Sequence, residues 1–295
     1  MKPASFFKNL SDKNVQCTLC PHNCIIAPNK HGRCNVRKNI DGVLYSLNYQ
    51  YPAAINIDPV EKKPLYHFLP GTKTFSFGCA GCNLKCSFCQ NCTISQVLPD
   101  EIETEQCTSE ELVKAAIHKK CESISFTYSE PTIFYETMIE TAELAHKYGL
   151  KTIMVSNGFI NREPLEKLLP FIDAANIDIK GFTEEFYRKY TGASLAPVLE
   201  TLKTMKKAAV HIEITNLIIP KANDSKEEID DLIKWVRDNL GSDTPLHFSR
   251  FFPQYKLTDR TATPPQTIIT ACERASSLGL KFVYAGNMES IWTKK

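Results

Sequence analysis

No run in this chain approaches the roughly eighteen consecutive apolar residues of a membrane-spanning helix. Nor does its opening, Met1-Lys2-Pro3-Ala4-Ser5-Phe6-Phe7-Lys8, hold an apolar core followed by small residues, the form of an export signal. The expectation is a soluble, cytoplasmic protein that neither spans nor coats a membrane. Excess charge of one sign is missing too: a net charge of +2 with 23% charged residues indicates no nucleic-acid or other polyanion partner and does not suit a disordered chain. The basic pairs Lys119-Lys120 and Lys206-Lys207 stand where helices are expected to end, and there cations complement the helix dipole.

Cysteine, by contrast, is plentiful. Of 12 cysteines, all but Cys107, Cys121 and Cys272 precede position 93. In a chain without an export signal this favours metal ligation over disulfides, because reducing compartments keep thiols free. One set is Cys17-Thr18-Leu19-Cys20-Pro21-His22-Asn23-Cys24 followed by His31-Gly32-Arg33-Cys34. Cys17, Cys20, Cys24 and Cys34 make four thiolates, enough for a closed tetrahedral site. Zinc and a second iron-sulfur cluster both suit this set, with zinc slightly preferred.

The other set is Cys82, Cys86 and Cys89, inside Phe77-Gly78-Cys79-Ala80-Gly81-Cys82-Asn83-Leu84-Lys85-Cys86-Ser87-Phe88-Cys89. Three thiolates from one short loop can share a 4Fe-4S cluster and leave one iron open to a non-protein ligand. On spacing alone, a truncated zinc site or a cluster with a ligand elsewhere is equally open. Cys79 and Cys92 are expected to be neighbours and not ligands.

Around these loops the chain divides. Val36 to Leu47 reads as a hairpin about Asp41-Gly42. Pro52, Pro59, Pro64 and Pro70 then punctuate an irregular stretch, and the boundary is placed at Gly71. Residues 1–71 form a cysteine-rich metal-binding lobe with its hairpin, and residues 72–295 a barrel with a carboxy-terminal extension. Apolar strands are expected at Thr74 to Phe77, Ser123 to Thr127, Lys151 to Ser156, Ala174 to Ile179, Val210 to Leu217 and Leu246 to Phe251. Amphipathic helices follow at 109–120, 132–148, 162–170, 183–208 with a break near Pro197, and 225–240, then Pro265 to Leu278 and a short strand from Phe282 to Tyr284. Six strand-helix units predict an α/β fold, a partial (β/α)6 TIM-like barrel with parallel strands and right-handed crossovers.

In such barrels chemistry gathers at the carboxyl ends of the strands. Polar residues stand there in succession: Thr127-Tyr128-Ser129-Glu130-Pro131, Ser156-Asn157-Gly158, Asp178-Ile179-Lys180-Gly181, Thr215-Asn216 and His247-Phe248-Ser249-Arg250. Turns favour such residues for their own reasons, so the coincidence over successive strand ends carries more than any one of them.

The three-cysteine loop with Phe88 before Cys89, at the end of the first strand of an alternating β/α chain, resembles the radical S-adenosylmethionine (SAM) superfamily over about residues 72 to 255. Within it the chain is similar to pyruvate-formate-lyase-activating-type enzymes, and most of all to the radical SAM members of the AmmeMemoRadiSam group. Four stretches carry the narrower match: Cys17 to Cys24, Asp58-Pro59-Val60-Glu61-Lys62-Lys63-Pro64-Leu65-Tyr66-His67-Phe68, Thr127 to Thr132, and Tyr284-Ala285-Gly286-Asn287. The resemblance implies that Cys82, Cys86 and Cys89 ligate a 4Fe-4S cluster whose open iron SAM chelates. It implies cofactor contacts from Phe88, Ser129, Glu130, Asn157, Asp178 and Lys180. Ser129-Glu130-Pro131 stands where the family receives the methionyl amine, and Lys180 would pair with the SAM carboxylate. Glu130 capping the helix after it is a compatible second role. Two departures are Val155, where related activating enzymes carry a cation-binding aspartate, and Tyr128 or Ser129 in place of the family's first glycine.

The activity so implied is reductive cleavage of SAM to methionine and a 5'-deoxyadenosyl radical, which abstracts hydrogen from a substrate. An oxidoreductase of this kind takes electrons from a flavodoxin- or ferredoxin-type donor. Its substrate is a small molecule or a protein, and installing a glycyl radical on a partner enzyme is the alternative. From another class, a non-catalytic zinc-binding scaffold also fits the cysteine count. Lys180 and Arg250 are the catalytic candidates, with His247, Ser249, Tyr255 and Tyr284 expected to face substrate. For Arg250, pairing with Asp259 is an equal expectation, and His67 is expected to be packed or at the surface.

Overall fold

The computed structural model describes residues 1–288. Short strands build the lobe: β1 (Lys2–Pro3), β2 (Phe7–Asn9), β3 (Val15–Cys17), β4 (Ile25–Ile26), β5 (Arg37–Ile40) and β6 (Val43–Ser46). They form two three-stranded antiparallel sheets, ordered β1-β6-β5 and β2-β3-β4. The hairpin is the one the sequence predicts. Ile40 pairs with Val43 across Asp41 and Gly42, both at positive φ (52° and 91°), the two-residue turn whose twist matches its strands.

The main sheet holds β7 (Pro52–Pro59), β8 (Lys73–Cys79), β9 (Ser123–Phe126), β10 (Lys151–Ser156), β11 (Ala174–Asp178), β12 (His211–Ile218), β13 (Leu246–Arg250) and β14 (Val283–Gly286), in sequential spatial order. From β8 to β14 all neighbours are parallel. The helices are α1 (Cys92–Ser95), α2 (Ser109–His118), α3 (Tyr135–Lys147), α4 (Arg162–Leu168), α5 (Glu184–Phe186), α6 (Ala196–Lys207), α7 (Lys226–Leu240) and α8 (Pro265–Ser277). This is the expected α/β partial barrel beside a cysteine-rich amino-terminal region. Of the expected helix at 183–208, α5 passes into a π-turn over Tyr187–Thr191, Gly192 at φ 70° ends it, and α6 starts afresh with Pro197 in its first turn.

The stretch expected to be irregular after Pro52 contains β7, which pairs antiparallel with β8 over its whole length. Its flanking prolines look like punctuation, but an edge strand tolerates residues that cannot donate to a ladder. Thus residues before Gly71 supply one strand of the barrel sheet.

Residues 60–68 continue beneath the barrel. The strand face carrying Val155, Asp178, Thr215, Leu217 and Ser249 lines a cleft at the carboxyl ends. By the two-residue alternation of a strand, Ile153, Asn176, Glu213 and His247 continue that face downward. Against it lie Val60 and Leu65, packed on Ile153 and Ala174. Asn176 Nδ2 donates to the Pro64 carbonyl (2.8 Å), and the buried Glu213 carboxylate accepts from Tyr66 N (2.8 Å) and His67 N (2.7 Å). The segment is a floor, and what lies above it is the site.

Candidate active site

A cleft of about 600 Å³ opens at the carboxyl ends of the parallel strands, within the size range of small-ligand sites. One wall is the loop after β8, which presents Cys82, Cys86, Phe88 and Cys89. All three thiols are free, and Cys86 is buried. Leu84 N donates to Cys82 Sγ (3.4 Å), and Ser95 Oγ stands 3.1 Å from Cys89 Sγ. Burial pushes the Cys86 thiol up to about 12 despite the nearby Lys180 cation, and drives Cys82 well above its ordinary value. Thiolates here therefore need a metal to hold their charge. Cys79 and Cys92 do not line the cleft.

The opposite wall is built from strand ends. Lys180 Nζ meets Asp178 Oδ2 at 2.7 Å. Burial works to lower the Lys180 pKa, but the Asp178 carboxylate and the Cys86 sulfur outweigh it, so the lysine stays cationic beside the cysteine loop. Glu130 is 1% exposed. Its Oε1 accepts from Thr132 N (3.0 Å) and Ser156 Oγ (2.7 Å), and its Oε2 from Asn157 N (2.9 Å). The capping role expected for Glu130 is thus present, together with a tie to the end of β10. Ser129 Oγ donates to the Cys79 carbonyl (2.6 Å). Asn157 Nδ2 donates to Asn83 Oδ1 (2.9 Å), joining that strand end to the residue after Cys82.

Three residues without an assigned role complete the cleft. Lys62 and Lys63 line it, and both bind the buried Asp58 carboxylate, at 2.9 and 2.6 Å. Tyr128 OH donates to the same Asp58 Oδ2 (2.6 Å), and Lys63 Nζ lies 4.6 Å from the centre of the Tyr128 ring. Tyr128 sits at φ 66°, a costly conformation for an aromatic residue that these contacts hold. The signal was the Asp58, Lys62, Lys63 spacing, four and five residues apart on a tight turn.

Four expected substrate-facing residues lie elsewhere. Arg250 is buried and donates from Nε to the Thr263 carbonyl (2.8 Å), while Asp259 pairs with Arg260. Arg250 and Tyr255 do not line the cleft, whereas Ser249 does. His247 Nε2 meets Glu213 Oε2 at 2.7 Å on the barrel floor, and Tyr284 packs on His247 and Tyr66 there. His67, at the surface as expected, reaches Tyr284 OH (2.6 Å). The strand alternation places β13 residue 247 below and residue 249 above, a two-residue difference that strand-end composition does not encode.

Comparison with known proteins follows from this geometry. Residues 78–236 match the family model of the radical SAM superfamily, more than half of the chain. The chain belongs to the radical SAM superfamily. An uncharacterized protein of Methanocaldococcus jannaschii is 49% identical over 288 residues, covering 98% of this chain and 86% of that one. Pyruvate formate-lyase-activating enzyme of Clostridium pasteurianum is 27% identical over 178 residues, covering 57% of this chain and 71% of that one. Among solved structures, a radical SAM methyltransferase from Sphaerobacter thermophilus shares the fold, with a TM-score of 0.59 at 15% identity over 75% of this chain and 68% of that one.

As a radical SAM protein the chain is an enzyme, and its family's cofactors are a 4Fe-4S cluster and SAM. The residues fit both: soft thiols stand on one wall, and the cleft beside them has room for a ligand of SAM's size. Among the described residues, no three Cys, His, Asp or Glu side chains stand in the geometry of a single-ion site. No described helix is long and apolar enough to cross a membrane.

Proposed function

We propose that Cys82, Cys86 and Cys89 hold the 4Fe-4S cluster and that SAM lies in the cleft against Phe88, Ser129, Glu130, Asn157, Asp178 and Lys180. The cluster and SAM, when bound, supply reductive cleavage of the sulfonium to methionine and a 5'-deoxyadenosyl radical that takes hydrogen from a substrate. The protein is then an oxidoreductase supplied with electrons by a flavodoxin- or ferredoxin-type donor. Lys180 contributes a fixed cation for the SAM carboxylate, and Asp178 keeps it charged and aimed. Glu130 holds the ends of β9 and β10 at the spacing the methionyl end requires. Cys17, Cys20, Cys24 and Cys34 are metal ligands as well, of zinc or a second cluster.

The observation that supports this reading most is the placement of three soft thiols across one cleft from a half-buried, cationic lysine. A glycyl-radical activase is the narrower alternative, favoured by similarity to pyruvate formate-lyase-activating enzyme. The test is anaerobic reconstitution with iron and sulfide, then dithionite and SAM, with 5'-deoxyadenosine as the readout. No product from protein with an intact cluster would refute the proposal, as would undiminished product from Cys86→Ala. A glycine-centred paramagnetic doublet on an added partner would mark the activase.

A further inference from the structure

The side of the cysteine loop that faces away from the cleft carries charge of one sign. Cys82, Leu84, Cys86, Phe88 and Cys89 line the cleft, whereas Lys85 and Ser87, which alternate with them in the chain, do not. Lys85 N and Ser87 N are held by the carbonyls of Thr191 and Tyr190, and the Ser87 carbonyl accepts from Lys256 N. Behind the loop, then, stand the π-turn and the segment after β13, and each brings cations. Lys256 is near enough to Lys85 for the two ammonium groups to repel. Lys189 Nζ and the Arg260 guanidinium lie over the Tyr190 ring, each 5.2 Å from its centre.

The lobe adds Arg33. Its Nη2 donates to the Gly192 carbonyl (2.9 Å), and that guanidinium and the Cβ of Lys85 share the space over Gly192. Four segments far apart in sequence thus place Arg33, Lys85, Lys189, Lys256 and Arg260 around one stretch of loop. Arg33, Lys189 and Lys256 are exposed, and Lys85 and Arg260 are partly so. Among the described residues, Arg260 alone of the five is in an ion pair, with Asp259 at 3.6 Å. Surface cations elsewhere are different. Lys114, Arg162, Lys167, Lys203 and Lys234 each pair with an acid three or four residues away on the same helix. In a chain with a net charge of only +2, unpaired cations gathered on one face are not the average of the composition. They repel one another, and an acidic surface set against them would relieve that repulsion.

The patch also covers the shortest way to the proposed cluster. Lys85 stands between Cys82 and Cys86 in the chain and is near enough to act on the Cys82 sulfur. A protein seated on the patch is therefore one coil segment away from the ligands, and the cleft mouth stays free for substrate. The mouth offers no comparable surface, because Lys62, Lys63 and Lys180, the lysines that line the cleft, are bound to Asp58 and Asp178.

We infer that this basic face is the docking surface of the electron donor, an acidic carrier protein of the ferredoxin or flavodoxin class that delivers its electron through the back of the cysteine loop. The inference rests on the proposed function only for what the electron enters. The carrier is oxidised by one electron and the centre behind Lys85 is reduced by one, with no bond made or broken. Complexes that pass electrons bury little area and are transient, so a surface of this kind works by charge steering and needs no large apolar contact.

Two probes test it, an acidic ferredoxin and an acidic flavodoxin. Calorimetry with the oxidised probes reads binding without depending on a loaded cluster, and stopped-flow bleaching by the reduced probes reads electron delivery to the reconstituted protein. At least one probe should bind and reduce the protein at low salt. Raising the ionic strength from about 0.01 to 0.15 M shortens the Debye length from about 30 to 8 Å and should slow the second-order rate about tenfold or more. Lys189→Glu/Lys256→Glu should lower that rate about 10- to 1000-fold and flatten its salt dependence, with dithionite-driven 5'-deoxyadenosine unchanged. Should the double variant not fold, Lys256→Glu alone keeps the backbone N–H that the loop uses and should still slow delivery several-fold. Lys119→Glu/Lys120→Glu makes the same change in net charge just before the amino end of β9, away from the patch, and should have little effect. Equal losses in the two double variants would overturn the inference, since net charge alone would then count. An unchanged rate in the patch variants, a shifted midpoint potential with unchanged carrier binding, or no binding by either probe would overturn it as well. Failure of the catalytic reading has a different signature: salt-sensitive carrier binding that the patch variant loses, with no 5'-deoxyadenosine from dithionite and SAM.

Discussion

Replacing Glu130 with Gln separates a carboxylate that positions the cleft from one that binds SAM directly. The side chain is buried, and three hydrogen bonds tie it inside the protein, from Thr132 N, Ser156 Oγ and Asn157 N. Glutamine has the same shape but one acceptor oxygen. If that oxygen keeps Thr132 and Ser156, the new amide faces Asn157 N–H, donor against donor, and a buried N–H is left unpaired. The loss is about 2–3 kcal/mol, counting one charge-assisted bond and the stranded donor. At 2–4 °C per kcal/mol for a chain of this order of size, the thermal midpoint should fall by roughly 4–12 °C. Because Asn157 also holds Asn83, the Cys82 loop should loosen and SAM affinity fall as a consequence. Thermal unfolding and SAM titration on the same anaerobic sample check this. An unchanged midpoint with abolished SAM binding would refute the reasoning, since the carboxylate would then be free to serve the ligand.

Lys180→Met should leave the midpoint within about 1 kcal/mol of the parent yet weaken SAM roughly 10- to 100-fold, the worth of one charge-assisted bond, in a direct titration. For Glu213, burial works to raise the pKa, but His211, His247 and the backbone N–H groups of His67 and Tyr66 hold it down to about 2. The stability so gained is complete above the ordinary value near 4.5 and lost as pH falls towards 2; acid titration of Glu213→Gln should lack about 3 kcal/mol of that dependence. Gly81→Ala puts a methyl 2.5 Å from Val36 Cγ1 at φ 96°, so limited proteolysis should show the lobe released from the barrel and iron content should drop. Arg37→Met strands the Glu136 carboxylate and should cost about 3–5 kcal/mol in denaturant unfolding, most of it recovered in Arg37→Met/Glu136→Leu.

Much of the scaffold could be read from the chain because it is locally encoded. Period-3.6 stripes and buried β-branched runs mark the helices and parallel strands, and Asp41-Gly42 marks the hairpin. The cysteines declare themselves by spacing. What escaped is set by tertiary neighbours. β7 looks irregular because Pro52 and Pro59 flank it, and only its edge position makes them tolerable. Glu213 gave no signal within β12, since most of its partners come from β13 and from residues 66 and 67, some 146 positions away. The chemistry of Arg250, His247 and Tyr284 suits the cleft, but strand register, not residue type, sets His247 and Tyr284 on the floor and Arg250 on the face of β13 opposite Ser249.

The catalytic loop shows why spacing yields ligands without yielding their geometry. Residues 80–91 contain no helix or strand, so few of their polar groups are satisfied by one another. Partners come from every side instead. Asn48 Nδ2 donates to the Ala80 carbonyl (2.9 Å), and His22 to that of Asn83 (2.8 Å), both from the lobe. Asn83 Nδ2 donates to the Phe159 carbonyl (2.8 Å), beyond β10. Lys85 N and Ser87 N donate to Thr191 (2.8 Å) and Tyr190 (2.9 Å), in the π-turn that interrupts the fourth helical stretch. Lys256 N donates to the Ser87 carbonyl (2.9 Å), from beyond β13. A coil held at so many points cannot choose its own shape, because a buried backbone group costs too much to leave unpaired. The part of the lobe before Lys62 therefore acts on the site from behind. It supplies two of these anchors, and none of the cleft-lining residues precedes Lys62. The lobe's contribution is to fix where three thiols stand.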